Sequence, residues 1–336
     1  MPDCLVTVVI PTLAADARLL ECLEALGRQT LRDFEAVVVD NSGEGRVRRV
    51  SPGLAVRVVK NPRNVGFGAA VNQGFEASRA PYLAVLNDDA VAHPEWLSRL
   101  VAAIQARPDV GMCASEVRLF GEARLDSAAM LVARDGSSKQ RGNGRPPEDF
   151  PEAEEALFPS GSAALFRRAM LDDIGLFDPS FFLYCEDTDL GLRARWAGWK
   201  CLYVAGAVVE HHYSHSAGRA SKVKAYYVER NRLFVVARNF PGRMLAAAPL
   251  VSLARYLWHV WYILRGRGSA ARFRAEGNAG FRMIWYVVRA HAAALGSAGR
   301  LWRARREIQG NARITPAVFR RLLASHSIGA RKVAEL

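Results

Sequence analysis

Four aliphatic runs before residue 90, most of them closed by a polar cluster, constrain the fold of this chain more than any other feature. Val6–Ile10 is continuously β-branched and stops at Pro11-Thr12, and Phe34–Val39 stops at Asp40-Asn41-Ser42-Gly43. Val56–Val59 is the third run, and Tyr82–Leu86 stops at Asn87-Asp88-Asp89. Runs without polar alternation are expected of strands buried on both faces. Between them lie helical stretches: Leu19, Leu20, Leu23 and Leu26 at helical spacing, Gly68–Ala77, and a segment opened by Pro94 that runs to about Ala106. Strands alternating with helices predict an α/β fold, a mostly parallel sheet with helices on both faces. The polar clusters then fall at the carboxyl ends of strands, where open α/β sheets bind ligands. Pro159–Phe166 reads as a further strand. Residues 134–156, rich in Gly, Pro and charge, read as a flexible loop.

Several chemistries are excluded. No G-x-G-x-x-G follows the first strand and no G-x-x-x-x-G-K-[ST] occurs, so dinucleotide and P-loop phosphate sites have no turn to form on. Cys4, Cys22, Cys113, Cys185 and Cys201 are scattered, with no C-x-x-C pair, which speaks against a disulfide framework or a zinc site. The N-terminus runs straight into Leu5–Ile10 without a basic start and long apolar run, so a cytoplasmic location is expected.

The remaining polar clusters admit both functional and structural readings. Asp40 suits a ribose hydroxyl or base edge, and equally a helix cap or turn. Asn64, Gly66 and Asn72 offer amides and a close backbone approach, or a capped helix entry. Asn87-Asp88-Asp89 places two carboxylates just past a buried strand, where they repel unless a cation offsets them. Mg2+ or Mn2+ fits such hard oxygen donors, using one or two carboxylates plus substrate phosphates; a helix N-cap is the alternative. Glu186-Asp187-x-Asp189 is the densest acidic cluster, set between Phe181, Phe182 and Tyr184 and the basic pair Arg193 and Arg195. One carboxylate there can act as general base toward an acceptor hydroxyl, with a metal or an Arg stabilising a leaving diphosphate. Its acids also suit a helix start. His211 and His212 follow the apolar run Val204–Val209, and either can serve as a metal ligand.

Taken in order, Val8-Val9-Ile10-Pro11-Thr12, Gln29-Thr30, Val38-Val39-Asp40-Asn41-Ser42, Asn64-Val65-Gly66-Phe67-Gly68, Leu86-Asn87-Asp88-Asp89, Gly175-Leu176-Phe177-Asp178 and Tyr184-Cys185-Glu186-Asp187-Thr188-Asp189-Leu190 resemble the family 2 glycosyltransferases, and within them the bacterial rhamnosyltransferase-like branch. The resemblance covers roughly residues 4–240. It implies the GT-A fold, a Rossmann-like nucleotide-diphospho-sugar transferase, and an inverting mechanism with a Mg2+ or Mn2+ cofactor. By the same resemblance Asp40 holds the nucleotide base and ribose, Asn87-Asp88-Asp89 is the metal motif, and Asp89 and His211 hold the metal; Pro11, Thr12, Asn64, Gly66, Asn72, Asn87 and Asp88 are expected around the nucleotide sugar. The resemblance makes Asp187 the catalytic base; Glu186 and Arg193, beside it in the cluster, are expected to support the acceptor or diphosphate. Asn87 departs from the first acid of the family's D-x-D metal motif.

Charge is distributed unevenly. Residues 241–336 hold 17 Lys and Arg against three acids, while residues 1–240 hold 29 basic against 30 acidic residues. A division follows: a catalytic domain over 1–240 and a basic helical tail over 241–336. Leu245–Leu264 is apolar, but Arg255 at mid-span is costly in a bilayer. Ser252, Arg255, His259 and Tyr262 line one helical face, the pattern of a helix lying in a membrane interface. Trp258, Trp261, Trp285 and Trp302 suit interfacial anchoring. The expected partners are a nucleotide-sugar donor, a glycan or lipid-linked acceptor and an anionic membrane on the inner face of the cell. A packing or oligomerisation segment is the alternative for the tail, and a nucleic-acid-binding protein using that tail is the alternative function, although nucleic acid is not the expected partner.

Overall fold

The computed structural model describes residues 4–47, 54–212, 222–268 and 280–336, which form two compact units interleaved in sequence. The first takes residues up to 130, 140–182 and 198–216. Its strands are β1 (Val6–Thr12), β2 (Phe34–Asp40), β3 (Val56–Lys60), β4 (Tyr82–Leu86), β5 (Ala90–Ala92), β6 (Val110–Leu119), β7 (Leu125–Ala128), β10 (Glu154–Ala156), β11 (Ala163–Arg167) and β12 (Lys200–His211). They make one mixed sheet in the order β10-β12-β6-β11-β4-β1-β2-β3, with β5 on β12 and β7 on β6. The half built from β3, β2, β1 and β4 is parallel, as the alternation predicted. Beyond β4 the sheet departs from the mostly parallel expectation. β11 runs antiparallel to both β4 and β6, and only β12 on β6 is parallel again.

Helices α1 (Ala17–Gly27), α2 (Phe67–Glu76), α3 (Trp96–Gln105) and α4 (Arg168–Ile174) connect these strands. Asp16 caps α1 by accepting from the Arg18 N–H, and the helix buries Leu19, Cys22, Leu23 and Leu26. Leu20, predicted for the same stripe, is 43% exposed. Both β1 and β4 are buried along their whole length, the reason their sequences carry no polar alternation. The stretch 134–156 is not a loop throughout. Ser138–Gln140 (β9) pairs with Met130–Val132 (β8), Pro147–Asp149 forms a 3-10 turn, and β10 adds to the sheet edge. Three-residue strands carry too little periodicity to show in a sequence.

The second unit takes residues 131–139, 183–197 and 217 onward. Its helices are α5 (Glu186–Trp196), α6 (Lys222–Asn239), α7 (Gly242–Leu264), α8 (Gly280–Gly296), α9 (Ala298–Gly310), α10 (Pro316–Ser325) and α11 (Ala330–Glu335). Trp196 anchors α5: its ring stacks on Phe319 at 4.0 Å and its Nε1–H donates to the Asn239 carbonyl. A buried ionic cluster ties α6, α7 and residues 135–137 together. Arg255 Nε lies 2.6 Å from Asp135 Oδ2 and its Nη2 2.8 Å from Glu229 Oε2. Arg232 also binds Glu229, and donates to the Asp135 carbonyl and Ser252 Oγ. No helix among the described residues is long and apolar enough to cross a membrane.

Candidate active site

In the first unit the carboxyl ends of β1, β2 and β4 gather the predicted polar residues. Thr12 is paired in register with Asp40, and its hydroxyl accepts from Ala15 N–H at 3.1 Å. Pro11, also buried, sits opposite Val39. Asp40 is 1% exposed, and its carboxylate accepts from Ser42 N–H and Oγ–H and from Val47 N–H. Burial opposes its charge, but these hydrogen bonds win and hold its carboxyl below the ordinary range.

Beside Asp40 an amide network joins the predicted Asn64 to Asn41 and Asn61 and fixes the loop before α2. Asn41 donates to Asn64 Oδ1 at 2.9 Å and accepts from Asn61 and from Val65 N–H. Gly66 has φ +91° and packs against Phe182, whose carbonyl accepts from Phe67 N–H at 2.7 Å; any Cβ at residue 66 collides with that carbonyl. Asn72 is not free for a nucleotide sugar as expected. It is buried, donating to Phe177 O at 2.7 Å and accepting from Phe177 N–H at 3.1 Å, so its amide fastens the 177–182 segment to α2.

After β4, Asn87, Asp88 and Asp89 turn toward the end of β12. Burial, reinforced by Asp89 and Asp16, pushes Asp88 up to about 6, although Thr12 pulls it back. His211 lies 3.1 Å by Nε2 from Asp89 Oδ1 and 3.2 Å from Asn87 Nδ2, with Nδ1 3.0 Å from Asp126 Oδ2. Burial alone would keep this imidazole neutral. Asp126 and Asp89 override it and raise its pKa to about 10. His212 points elsewhere: it stacks on Phe120 at 3.6 Å and meets Glu21 and Arg18.

Among the described residues no three His, Cys, Asp or Glu side chains surround one point as a protein-only metal cage would. The donors present still fit a hard divalent ion. Neighbouring ligands on an octahedral ion with bonds of about 2.1 Å sit about 3 Å apart, and Asp89 Oδ1 and His211 Nε2 are 3.1 Å apart. Asp126 Oδ2 lies 3.0 Å from the far nitrogen, Nδ1, where a carboxylate would orient the ring if Nε2 held a metal. Asp126, a 2% exposed acid in the buried strand β7, was not legible in the sequence, where Leu-Asp-Ser-Ala carries no apolar pattern to mark it.

In the second unit the three acids at the start of α5 separate by environment. Asp189 is fully buried and bound to Arg193, Arg238 and Asn239. Arg193 is therefore corrected from a diphosphate or acceptor contact to a support of the helix, its Nε 2.9 Å from Asp189 Oδ2. Glu186 is 7% exposed and its Oε2 has no hydrogen-bond partner among the described residues. Burial, then the charge on Asp187, pushes its carboxyl well above the ordinary range. Asp187 alone among the three is partly open to solvent, with Oδ1 accepting from Thr188 N–H at 2.6 Å. Tyr184 and Cys185, just before it, hold φ of +69° and +65°, left-handed conformations that cost bulky residues of order 1–3 kcal/mol each.

A stability prediction follows from Glu186. Its folded pKa lies above the ordinary 4.5, so the folded state holds the proton longer than the unfolded state and loses stability as pH rises beyond that value. Glu186→Gln removes this penalty. Its melting temperature should match the wild type near pH 4.5 and exceed it increasingly up to pH 8; equal melting curves across that range refute the assignment.

The profile of the family described as glycosyl transferase family 2 matches residues 7–175. An N-acetylglucosaminyl-diphospho-decaprenol L-rhamnosyltransferase of Mycobacterium tuberculosis is 30% identical over 250 residues, 66% of this chain and 80% of that protein. Among solved structures, GalNAc-T7 with UDP, GalNAc and Mn2+ superposes with a TM-score of 0.60 at 17% identity, over 76% of this chain and 51% of that one. The mannosyltransferase of Pyrobaculum calidifontis in complex with GDP-Man and Mn2+ gives 0.53 at 20% identity, over 94% and 86% of the two chains. At such identities the structures speak for the fold alone, and they bear out the nucleotide-diphospho-sugar transferase architecture expected from the sequence.

Proposed function

The chain belongs to glycosyl transferase family 2 and resembles its rhamnosyltransferases, and from that premise we propose an inverting, divalent-metal-dependent transfer of a sugar from a nucleotide diphosphate to an acceptor hydroxyl. The observation that carries the metal-dependent reading is the pair Asp89 Oδ1 and His211 Nε2, 3.1 Å apart, with Asp126 orienting the ring. Mg2+ or Mn2+ bound there would offset the charge of the leaving diphosphate. Thr12, Asp40, Asn87 and Asp88, at the carboxyl ends of β1, β2 and β4, face the nucleotide sugar, with Pro11, Asn64 and Gly66 shaping the loop walls. Asp187 takes the proton of the acceptor hydroxyl as its oxygen attacks the anomeric carbon. The bond to the diphosphate breaks on the opposite side, so the anomeric configuration inverts and no enzyme nucleophile is needed.

The donor sugar includes rhamnose among its candidates, and the acceptor is a lipid-linked or cell-envelope glycan precursor. Both readings draw on the activity of the mycobacterial relative. The catalytic part spans 1–240. The basic tail over 241–336 holds the enzyme on the anionic inner face of the cell membrane, a peripheral rather than a spanning attachment.

The test is cation-dependent turnover of a panel of nucleotide sugars. Asp126→Asn touches neither donor nor acceptor in this scheme, yet loosens the orientation of His211. It should raise the Mn2+ concentration for half-maximal turnover by about 10–100-fold, with rate recovering at high Mn2+. His211→Ala should do the same more severely. Wild-type turnover that ignores Mn2+ and Mg2+ sinks the metal reading; unchanged metal dependence in both variants removes His211 as ligand.

A further inference from the structure

Helix α7 presents its faces the opposite way round from a surface helix. The side carrying Ser252, Arg255 and Tyr262, read from sequence as the polar side of an interfacial helix, is buried inside the unit, with Arg255 held by Asp135 and Glu229. The side left outward is the leucine side. Leu250, Leu253, Leu257, Val260 and Leu264 are 72, 55, 63, 54 and 81% exposed and recur every three or four residues along one stripe. The buried ion pairs lock the helix about its axis, so this stripe cannot rotate inward.

Beside the stripe is an open groove of about 460 Å3 lined by Ala254, Leu257, Trp258, Trp261 and Arg331. Its aromatic rings carry cations: the exposed Arg331 lies 5.2 Å above Trp258 and Arg265 lies 4.3 Å above Trp261, the two indoles packing edge to face at 5.5 Å. Tryptophan with arginine at the rim of an apolar surface is the chemistry of a bilayer interface, where rings sit at headgroup level and guanidiniums reach phosphate.

We propose that the leucine stripe of α7 seats on an anionic phospholipid bilayer, with the Trp258–Trp261–Arg331 groove receiving a lipid headgroup phosphate. This rests on the membrane attachment within the proposed function and gives that attachment a face. Charge complementarity selects the occupant. The spacing of the stripe also suits a coiled-coil seam, but a second copy would bring together two segments that each carry 17 Lys and Arg against three acids. Neither α7 nor α8 contains an acid, and Arg243, Arg265 and Arg267 flank the stripe at its two ends. Such a surface is repelled by its own copy and attracted to anionic lipid.

The test is co-sedimentation of the full-length protein with phosphatidylcholine vesicles, with and without phosphatidylglycerol. Binding to the anionic vesicles should exceed binding to the neutral ones by about tenfold or more. Leu253→Glu with Leu257→Glu should weaken it by at least about tenfold, and Arg265→Glu with Arg331→Glu should abolish the preference for anionic lipid. All four side chains are exposed, and melting curves matching the wild type establish that the variants are folded. Unchanged vesicle binding in the leucine variant overturns the inference. So does a concentration-dependent wild-type dimer that the leucine variant loses, because a second copy would then cover the stripe. Sugar transfer by the wild type is scored separately. Transfer without vesicle binding overturns this inference alone, while vesicle binding without any nucleotide-sugar turnover overturns the enzymatic reading and leaves this one standing.

Discussion

Asp187→Asn should lower the turnover number for sugar transfer by about 10²–10⁴-fold, the range a positioned general base contributes, while the donor KM and the melting temperature stay near their wild-type values. The substitution is isosteric. The amide oxygen can still accept the Thr188 N–H that Asp187 Oδ1 accepts now, so the first turn of α5 keeps its hydrogen bond. What it loses is the capacity to take a proton from the acceptor hydroxyl. Asp189→Asn supplies the contrast. That carboxylate is fully buried among Arg193, Arg238 and Asn239, so its loss should appear as lowered stability first. Full transfer rate in Asp187→Asn would remove Asp187 as the base.

Geometry independent of any titration supports the same choice. Bulky residues held at positive φ are costly, and Tyr184 and Cys185 are both held so directly before Glu186-Asp187. A helix entry could be built without that strain by an ordinary cap, yet Cys185 at the cap position makes no side-chain cap bond. The strained pair closely precedes the one acid in the cluster that reaches solvent.

Most of the parallel half of the sheet was legible because β1, β2 and β4 are aliphatic and largely buried, and Val6–Thr12, Phe34–Asp40 and Tyr82–Leu86 fall where those runs placed them. The antiparallel half was not. Pairing direction between β11 and its neighbours is set by contacts between residues 50 to 85 positions apart, and no local pattern encodes it. The environments of His211 and His212 differ for a related reason. Adjacent residues on a strand point to opposite sides, so one ring meets Asp89 and Asp126 while the other meets Glu21 and Phe120. Asp126 stayed hidden because one acid in a four-residue strand has no spacing to betray it. Helix α7 is the clearest limit. Its sequence shows two unlike faces, but which one turns inward depends on Asp135 and Glu229, whose charges make burial of Arg255 tolerable.

That dependence sets the second large effect. Glu229→Ala should lower the unfolding free energy of the helical unit by about 3–5 kcal/mol, the cost of removing one partner from a buried ion pair. Glu229 is 6% exposed and accepts from Arg232, Arg255 and Tyr256. The two guanidiniums hold its carboxyl far below the ordinary range even though burial works the other way. Without it, Arg232 and Arg255 remain buried with Asp135 as the remaining acid of the cluster, and two cations share one anion. Urea unfolding followed by helical circular dichroism measures the loss. Pairing Glu229→Ala with Arg232→Met tests its origin, because the second change removes the orphaned charge, and the double variant should lose clearly less than the sum of the singles. Additive losses, or a Glu229→Ala loss below about 1 kcal/mol, the range of an exposed pair, would mean that the cluster is solvated rather than buried. The lock that keeps the leucine side of α7 facing outward would then be absent.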